Sequence, residues 1–164
     1  MKVYDFDPRS QPDEILKAIG LVVLEANELE AIIKMGLASL LKADQKIAHI
    51  TFQSMTFGQA FDLLKLLAEV LVDQSNHDAV EGKKSFLASI ARCKAAMDER
   101  NYVVHSFRFV DHEEGQTFIS RMKVGKSGVS LKETVTPSLA NAVADMLREA
   151  RHDLFRHFIA IRIL

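Results

Sequence analysis

The sequence predicts an α+β fold that is mainly α, a four-helix bundle with a small three-stranded antiparallel meander before the last helix. Over most of the chain, apolar residues recur three and four positions apart, as they do on the buried faces of helices. After His105 they alternate with polar residues, which is the period of strands. No linker, repeat or low-complexity tract divides the 164 residues, so a single domain over residues 1–164 is expected.

The first predicted helix spans residues 12–42. Ser10 followed by Asp13, with Pro12 in the first turn, is a helix-start signal. Its buried stripe consists of Ile15, Ile19, Val22, Ala26, Leu29, Ile33, Gly36 and Leu40. At about 1.5 Å per residue this helix measures roughly 45 Å, so it needs a partner of similar length. Residues 43–54 break the pattern.

Two more helices are predicted next. Thr56 and Gln59 form a capping box ahead of a second helix that ends near Asp73. The apolar face of the second helix consists of Phe57, Ala60, Phe61, Leu64, Leu67 and Leu71. The third helix ends at about Val104 and is expected to be the long partner of the first. Its stripe consists of Phe86, Ile90, Cys93, Met97 and Val104.

The meander and a fourth helix complete the predicted fold. Phe107 and Phe109 flank Arg108, and two further alternating segments follow the turn sequences DHEEG and GKSG. Thr136 and Pro137 are an N-cap and a first-turn proline for the last helix. The apolar face of that helix consists of Leu139, Val143, Met146, Leu147, Leu154, Phe158 and Ile159.

Charge is distributed unevenly along the chain. The formal net charge of −1 argues against a general nucleic-acid binder. Residues 1–82 hold 7 Lys and Arg against 13 Asp and Glu, which gives −6, and residues 83–164 hold 14 against 9, which gives +5. Three arrangements satisfy this polarity: pairing of helices within one chain, pairing of two copies, or a basic face against a phosphate backbone.

The N-terminal segment bears on location. MKVYDFDPRSQPDE carries acids where a secretory signal carries positive charge followed by an apolar stretch. The longest apolar run near the start, residues 21–24, is far shorter than the roughly 20 residues that a membrane helix needs. We therefore expect a cytoplasmic protein without a membrane partner. Cys93 is the single cysteine, so it cannot form an internal disulfide, and we expect it in the core.

Three common kinds of site find no support in the sequence. VGKSG lacks the first glycine of a phosphate loop, because Ser120 stands there, and a predicted strand rather than a helix follows. The six histidines include no His-Glu-x-x-His and no pair four apart on one helical face, so neither a metal nor another cofactor is expected. A serine hydrolase is not expected either, since no Gly-x-Ser-x-Gly is present.

The segment DERNYVVHSFRF, residues 98–109, carries the candidate chemistry. The Arg100 guanidinium offers a planar fork of donors that suits phosphate oxygens. A histidine such as His105, with an ordinary pKa of about 6.5, donates or accepts a proton near neutrality, and Asn101 can orient either neighbour. These groups suffice for transesterification at a ribose 2′-hydroxyl. Arg100 and His105 diverge by about 140° on a continuous helix, so their convergence is expected only if the helix ends between them.

Residues 100–105, RNYVVH, resemble the signature of the HEPN domain family, in which Arg and a polar residue are followed by His. The resemblance implies a small helical bundle, a homodimer, and a metal-independent endoribonuclease of a toxin-antitoxin or phage-defence system. It implies that Arg100 and His105 are catalytic, that Asn101 supports them, and that two copies meet across a dimer cleft. Arg151 and His157 fit the same loose spacing, but no Asn follows that Arg, and their charged helix is typical of a solvated face.

Other interpretations stay open beside the ribonuclease. In one, the chain is a non-catalytic helical dimer that binds a nucleotide, RNA, an antitoxin or another protein. Its last helix would then dock an acidic partner through Arg148, Arg151, Arg156 and Arg162. In another, Asp98, Glu99 and Arg100 form a charge network at a helix end, while Asn101 and His105 satisfy backbone groups. If RNA is bound, the basic residues expected to guide it are Arg108, Arg121, Lys123 and Lys126.

Overall fold

A computed structural model describes residues 4–5, 9, 11–71, 77–105, 107–111, 116–121, 131–134 and 136–160. Side chains are described at positions 9, 11–44, 46–48, 50–70, 81–105 and 136–160. Five helices lie in the described ranges. They are α1 (Asp13–Leu40), α2 (Gln45–Gln53), α3 (Phe57–Leu71), α4 (His77–His105) and α5 (Pro137–Ala160). None of these helices, as far as its residues are described, combines the length and apolar character needed to cross a membrane.

The predicted fold class is wrong. Among the residues whose side chains are described, 91% are helical and none lies in a strand, so the class is all-α, with five helices where four were predicted. Where the backbone alone is described, strand pairing is found in β1 (Tyr4–Asp5), β2 (Phe107–Asp111), β3 (Gln116–Arg121) and β4 (Leu131–Thr134). Its order is β1-β2-β3-β4 with antiparallel neighbours, so this pairing involves four strands rather than the predicted three.

The extra helix, α2, was missed because it buries very little. Asp44 caps it by accepting hydrogen bonds from the backbone N–H groups of Lys46 and Ile47. Among its described side chains, only Ala48 and Phe52 are buried. Two buried positions are too few to produce the periodic stripe by which a helix is recognised in a sequence.

Two predicted helix starts are confirmed. At α3, Thr56 Oγ1 accepts from the N–H of Gln59 at 3.3 Å, and Gln59 Oε1 accepts from the N–H of Thr56 at 2.9 Å. This reciprocal pair is a capping box, which satisfies two backbone donors that the helix itself cannot. At α5, Thr136 Oγ1 accepts from the N–H of Leu139 at 3.1 Å. Ser10, the predicted start of the first helix, lies outside the described residues.

The chain divides into two compact units. Unit 1 comprises Met1–Ala26 and Met97–Met146, and unit 2 comprises Asn27–Ala96 and Leu147–Leu164. The helices α1, α4 and α5 each contribute residues to both units.

Unit 1 contains the C-terminal end of α4. Its described core is built from small and branched side chains, namely Ile15, Ala18, Val22, Ala26, Met97, Val103, Ala140, Val143 and Ala144. Val103 is fully buried, and this fixes which side of the last turns of α4 faces inward. Gln11 is also buried, and within the part of the chain that the structure describes neither polar atom of its amide has a hydrogen-bond partner.

Unit 2 has a core with larger rings. The Phe158 ring is fully buried and meets Phe86 edge to face, with ring centroids 5.7 Å apart. Phe158 also lies directly against the backbone of α1 at Gly36, where a Cβ atom would overlap the ring. Glycine at position 36 therefore admits the close approach of α5 to α1 within this unit.

The predicted apolar stripes agree with the burial of most of their members. On α1 every predicted position is buried or half-buried. On α5 the prediction fails at Met146 and Ile159, which are 42% and 51% exposed. Alanines take their place, since Ala140, Ala144 and Ala150 are buried on the same helix. Small residues at these positions let helices pack closely, but they carry little hydropathic signal.

Candidate active site

The candidate site lies at the C-terminal end of α4, in unit 1. Val103 is buried on the inward side of the last turn of α4. Arg100 is half-buried, whereas Asn101 and His105 are exposed. All three side chains that the sequence singled out are thus placed on the accessible side of one helix end.

Arg100 joins the other two side chains through a single nitrogen atom. Its Nη1 lies 2.8 Å from Nε2 of His105 and 3.1 Å from Oδ1 of Asn101. Because a guanidinium only donates, Nε2 must accept, which places the imidazole proton on Nδ1 in a neutral ring. The site therefore presents a cation held by two neutral acceptors.

The two key side chains converge by a different route from the expected one. The prediction required the helix to end between Arg100 and His105, but α4 continues through His105. That condition was wrong. His105 is the terminal residue of α4, and its exposed ring leans back over the preceding turn towards Arg100. The long Arg100 side chain spans the five residues, an axial distance of about 7.5 Å.

The charge of Arg100 is not neutralised by a carboxylate in the described part of the chain. Asp98 and Glu99 are exposed, and no ion pair between either of them and Arg100 is found among the described side chains. The Arg100 Nε atom is buried and has no hydrogen-bond partner among the described residues. The predicted alternative of a local charge network therefore finds no support here, and a guanidinium in this state has donors left for an anion.

The second Arg and His at similar spacing do not come together. In unit 2, Arg151 Nη1 lies 3.5 Å from Glu28 Oε2, and Nε2 of His157 lies 3.4 Å from the Ser85 hydroxyl. The His157 ring also packs on Phe86 at a centroid distance of 5.7 Å. Each side chain is engaged by a different helix, so this pair is structural.

A polar cluster borders His157. Arg92 Nη2 forms a hydrogen-bonded ion pair with Asp153 Oδ2, and Arg156 lies 3.6 Å from the other carboxylate oxygen. Burial raises the pKa of Asp153, but the hydrogen bond from Arg92 and the charges of Arg92 and His157 outweigh it. The pKa of Asp153 therefore lies below its ordinary value.

Cys93 lies beside this cluster and is buried, as predicted. Burial, followed by the negative charge of Asp153, raises the pKa of Cys93 to about 12. The thiol stays protonated near neutrality, so Cys93 is a poor nucleophile and metal ligand. It acts as a small core residue.

The basic residues expected to guide RNA cannot be added to this geometry. Arg108 lies in β2 and Arg121 in β3, where the backbone alone is described. Lys123 and Lys126 lie outside the described residues. Their role stays a prediction. In the ranges that the structure describes, no three His, Cys, Asp or Glu residues are grouped so that they could hold a metal ion.

The sequence did not reveal a groove in unit 2 between α1 and α5, which we call the α5 groove. Its volume is about 630 Å³, and it is lined by Glu28, Ile32, Arg151, His152, Phe155 and Arg156. Phe155, which is 39% exposed, brings an aromatic ring to a surface with two arginines. The signal that could have indicated it is the apolar pair Phe155 and Ile159, four residues apart on a helix that is otherwise charged on that side.

Comparisons of the chain with family models, with curated proteins and with solved structures each gave no match. The likeness to the HEPN family therefore rests on residues 100–105 alone.

Proposed function

We propose that the chain is a HEPN-like, metal-independent endoribonuclease that uses Arg100 and His105. The observation that carries the proposal is the 2.8 Å contact between Arg100 Nη1 and His105 Nε2 at an accessible helix end. The lack of a neutralising carboxylate beside Arg100, among the described residues, favours an anionic ligand such as phosphate.

In the proposed reaction, a phosphate of the RNA first takes over the donors of Arg100. A charged phosphate oxygen is a better acceptor for a guanidinium than a neutral imidazole is, so binding frees Nε2 of His105. The freed Nε2 then removes the proton from the 2′-hydroxyl. Substrate binding would thus switch the pair from a resting hydrogen bond to a base and an anion-binding group.

The 2′-oxygen then attacks the adjacent phosphorus, and the bond from phosphorus to the 5′-oxygen breaks. The products are a 2′,3′-cyclic phosphate and a 5′-hydroxyl, whose oxygen takes its proton from water or from His105 of a second copy in a homodimer. Arg100 stabilises the charge that develops on the phosphate oxygens. The Asn101 amide, bonded to the same Nη1, positions the guanidinium.

The biological setting belongs to the same proposal. A role as a toxin or phage-defence component, with an antitoxin as partner, follows from the family resemblance. A cytoplasmic location is part of the same proposal.

The test is cleavage of a structured RNA with unpaired loops by purified protein in the presence of a chelator. We expect cyclic phosphate ends from the wild type, and losses of about 100-fold or more in Arg100→Ala and His105→Ala. Asn101→Ala should lose less. Lys17→Ala, which removes an exposed cation of the same unit, is the control and should leave the rate unchanged.

Two results would contradict the proposal. One is unchanged cleavage in the Arg100 and His105 variants, which would point to a contaminating nuclease. The other is RNA binding by the wild type without any cleavage, which would favour the non-catalytic alternative. Circular dichroism of each variant separates loss of chemistry from loss of fold.

A further inference from the structure

The α5 groove has the size and the wall chemistry of a site for a small molecule. Its volume of about 630 Å³ lies within the range of about 300–1,000 Å³ that small-molecule sites occupy in proteins. Ile32 of α1 and Phe155 of α5 supply its apolar wall. All of its lining residues belong to unit 2, so the groove is formed within one compact unit. The remaining lining residues are polar or charged, namely Glu28, Arg151, His152 and Arg156.

Helical spacing arranges the α5 side chains of the groove as two pairs. Phe155 lies one turn after Arg151, and Arg156 lies one turn after His152. The members of each pair are four residues apart, so they are neighbours on the helix surface. The pair of His152 and Arg156 brings two hydrogen-bond donors together, an imidazole N–H and a guanidinium. An aromatic wall and a pair of donors therefore stand side by side, as an aromatic compound with one anionic group requires.

Both members of this donor pair can bind a ligand without giving up an existing hydrogen bond. The Arg156 side chain is 76% exposed, and its ion pair with Asp153 measures 3.6 Å, which is too long for a direct hydrogen bond. Asp153 is bonded more closely by Arg92. His152 is exposed, and no hydrogen bond or ion pair of its ring is found among the described residues. Arg156 can therefore keep its contact with Asp153 and still donate to a carboxylate.

Glu28 limits the charge that a ligand of the groove can carry. Its Oε2 atom lies 3.5 Å from Arg151 Nη1, and its side chain is 66% exposed. With histidine neutral, Arg151, Arg156 and Glu28 give the groove a formal charge of +1. One anionic group is balanced by this charge, whereas a chain of phosphates brings several negative charges close to Glu28. A monoanion therefore fits the groove better than a polyphosphate does.

We propose that the α5 groove binds a small aromatic monoanion such as an aromatic carboxylate. The ring of the ligand packs on Ile32 and Phe155, offset or edge to face against the phenyl ring. Its carboxylate accepts hydrogen bonds from His152 and Arg156. The site lies in unit 2 and uses none of the residues of the proposed ribonuclease, so the two proposals are tested separately.

The test is binding of naphthoate to the full chain, followed by the fluorescence of the naphthalene ring. The chain contains no tryptophan, so the protein contributes little background. We expect a dissociation constant of about 100 μM or below, which a good ligand of this size reaches. Naphthamide has the same ring without the charge, and acetate, measured by competition, has the charge without the ring. Each should bind about tenfold or more weakly than naphthoate, because each makes only part of the contacts.

Substitutions in the groove locate the bound compound. Arg156→Gln should weaken naphthoate binding about tenfold or more and leave naphthamide binding unchanged, because it removes a charge and no apolar wall. Glu28→Gln should tighten naphthoate binding about threefold or more, because Arg151 and Arg156 then give the groove a formal charge of +2. Phe155→Leu should weaken both compounds. Lys94→Gln removes an exposed charge of the same unit outside the groove, and this control should change neither affinity.

A loss of naphthoate binding in Arg156→Gln, with naphthamide binding unchanged, supports the proposal. The absence of naphthoate binding at millimolar concentration overturns it, and so does equal affinity of the wild type for naphthoate and naphthamide. Equal naphthoate affinity of wild type and Arg156→Gln also overturns it, because the compound would then lie elsewhere. Tighter binding of adenosine triphosphate than of naphthoate would make the groove a polyanion site instead. Circular dichroism checks each fold, and Arg156→Gln, at a largely exposed side chain, carries the conclusion if Phe155→Leu is unstable.

Discussion

Two stretches of this chain each hold an Arg followed by a His at a similar spacing, and the two pairs make different contacts. Arg100 and His105 are five residues apart, and Arg151 and His157 are six apart. On a regular helix these separations correspond to turns of about 140° and 240°, neither of which brings side chains together. Yet Arg100 reaches His105 at 2.8 Å, while Arg151 contacts Glu28 and His157 contacts Ser85.

The difference follows from position within the helix. His105 is the last residue of α4, and its side chain is exposed. His157 lies in the last turn of α5 but packs on Phe86, which holds its ring against the core of unit 2. An Arg and a His at a given spacing therefore become a candidate pair only where the helix end leaves both free to turn towards each other.

The largest effect is expected from removing the base at the first stretch. His105→Gln should lower the rate of RNA cleavage by about 100-fold or more, because glutamine accepts the hydrogen bond from Arg100 but cannot take up a proton. His157→Gln is the matched variant at the second stretch and should leave the rate unchanged. Quantification of cyclic phosphate ends measures both. Equal losses in the two variants would remove the distinction between the stretches.

The next effect is on stability, and it should fall on the second stretch. Phe158→Ala, beside His157, should lower the free energy of unfolding by about 3–5 kcal/mol, because it empties a fully buried position. His105→Ala, at an exposed helix end, should cost about 0.5 kcal/mol or less. Urea denaturation measures both values. A larger loss for His105 than for Phe158 would mean that the first stretch is the structural one.

The smallest effect concerns the ion pair next to the second stretch. Asp153→Asn should cost about 1 kcal/mol near neutral pH, a modest value because the partner Arg92 is largely exposed. The folded protein lowers the pKa of Asp153, so the stabilisation is present above the ordinary carboxyl pKa of about 4. It is lost as the pH falls through the lowered value.

Denaturation curves at neutral and at acid pH measure this effect. The difference in unfolding free energy between wild type and Asp153→Asn should shrink in acid. A difference that stays constant with pH would show that packing, rather than charge, accounts for the loss.

The long helices could be predicted because their signals are local. The stripe on α1 follows from spacing, and the capping box of Thr56 and Gln59 is a short motif with a definite hydrogen-bond pattern. The short helix α2 could not be found in the same way, since Ala48 and Phe52 are its two described buried residues. Asp44, which caps it, was the available signal.

The fold class could not be predicted by the same means. Alternation of polar and apolar residues after His105 describes a local backbone preference. It does not determine whether such segments form a layer of the core. The residues whose side chains are described form an all-α structure, so the predicted α+β class was wrong. The segment after His105 was nevertheless correctly distinguished from the helices.

The candidate site was predictable in its members but not in its geometry. The residue types of Arg100, Asn101 and His105 indicated the chemistry, but helical angles alone argued against contact. Side-chain length and the position of a helix end decided it. The α5 groove was missed altogether, because its lining comes from two helices that are more than a hundred residues apart in the chain.

The fit of Phe158 over Gly36 couples two distant positions. A methyl group at position 36 would have to displace a ring that Phe86 holds from another side. A larger side chain at position 36 requires a smaller one at position 158. Gly36→Ala should therefore be tolerated better in a chain that carries Phe158→Leu. In diverged sequences, positions 36 and 158 should therefore covary, with a larger side chain at one position accompanied by a smaller side chain at the other.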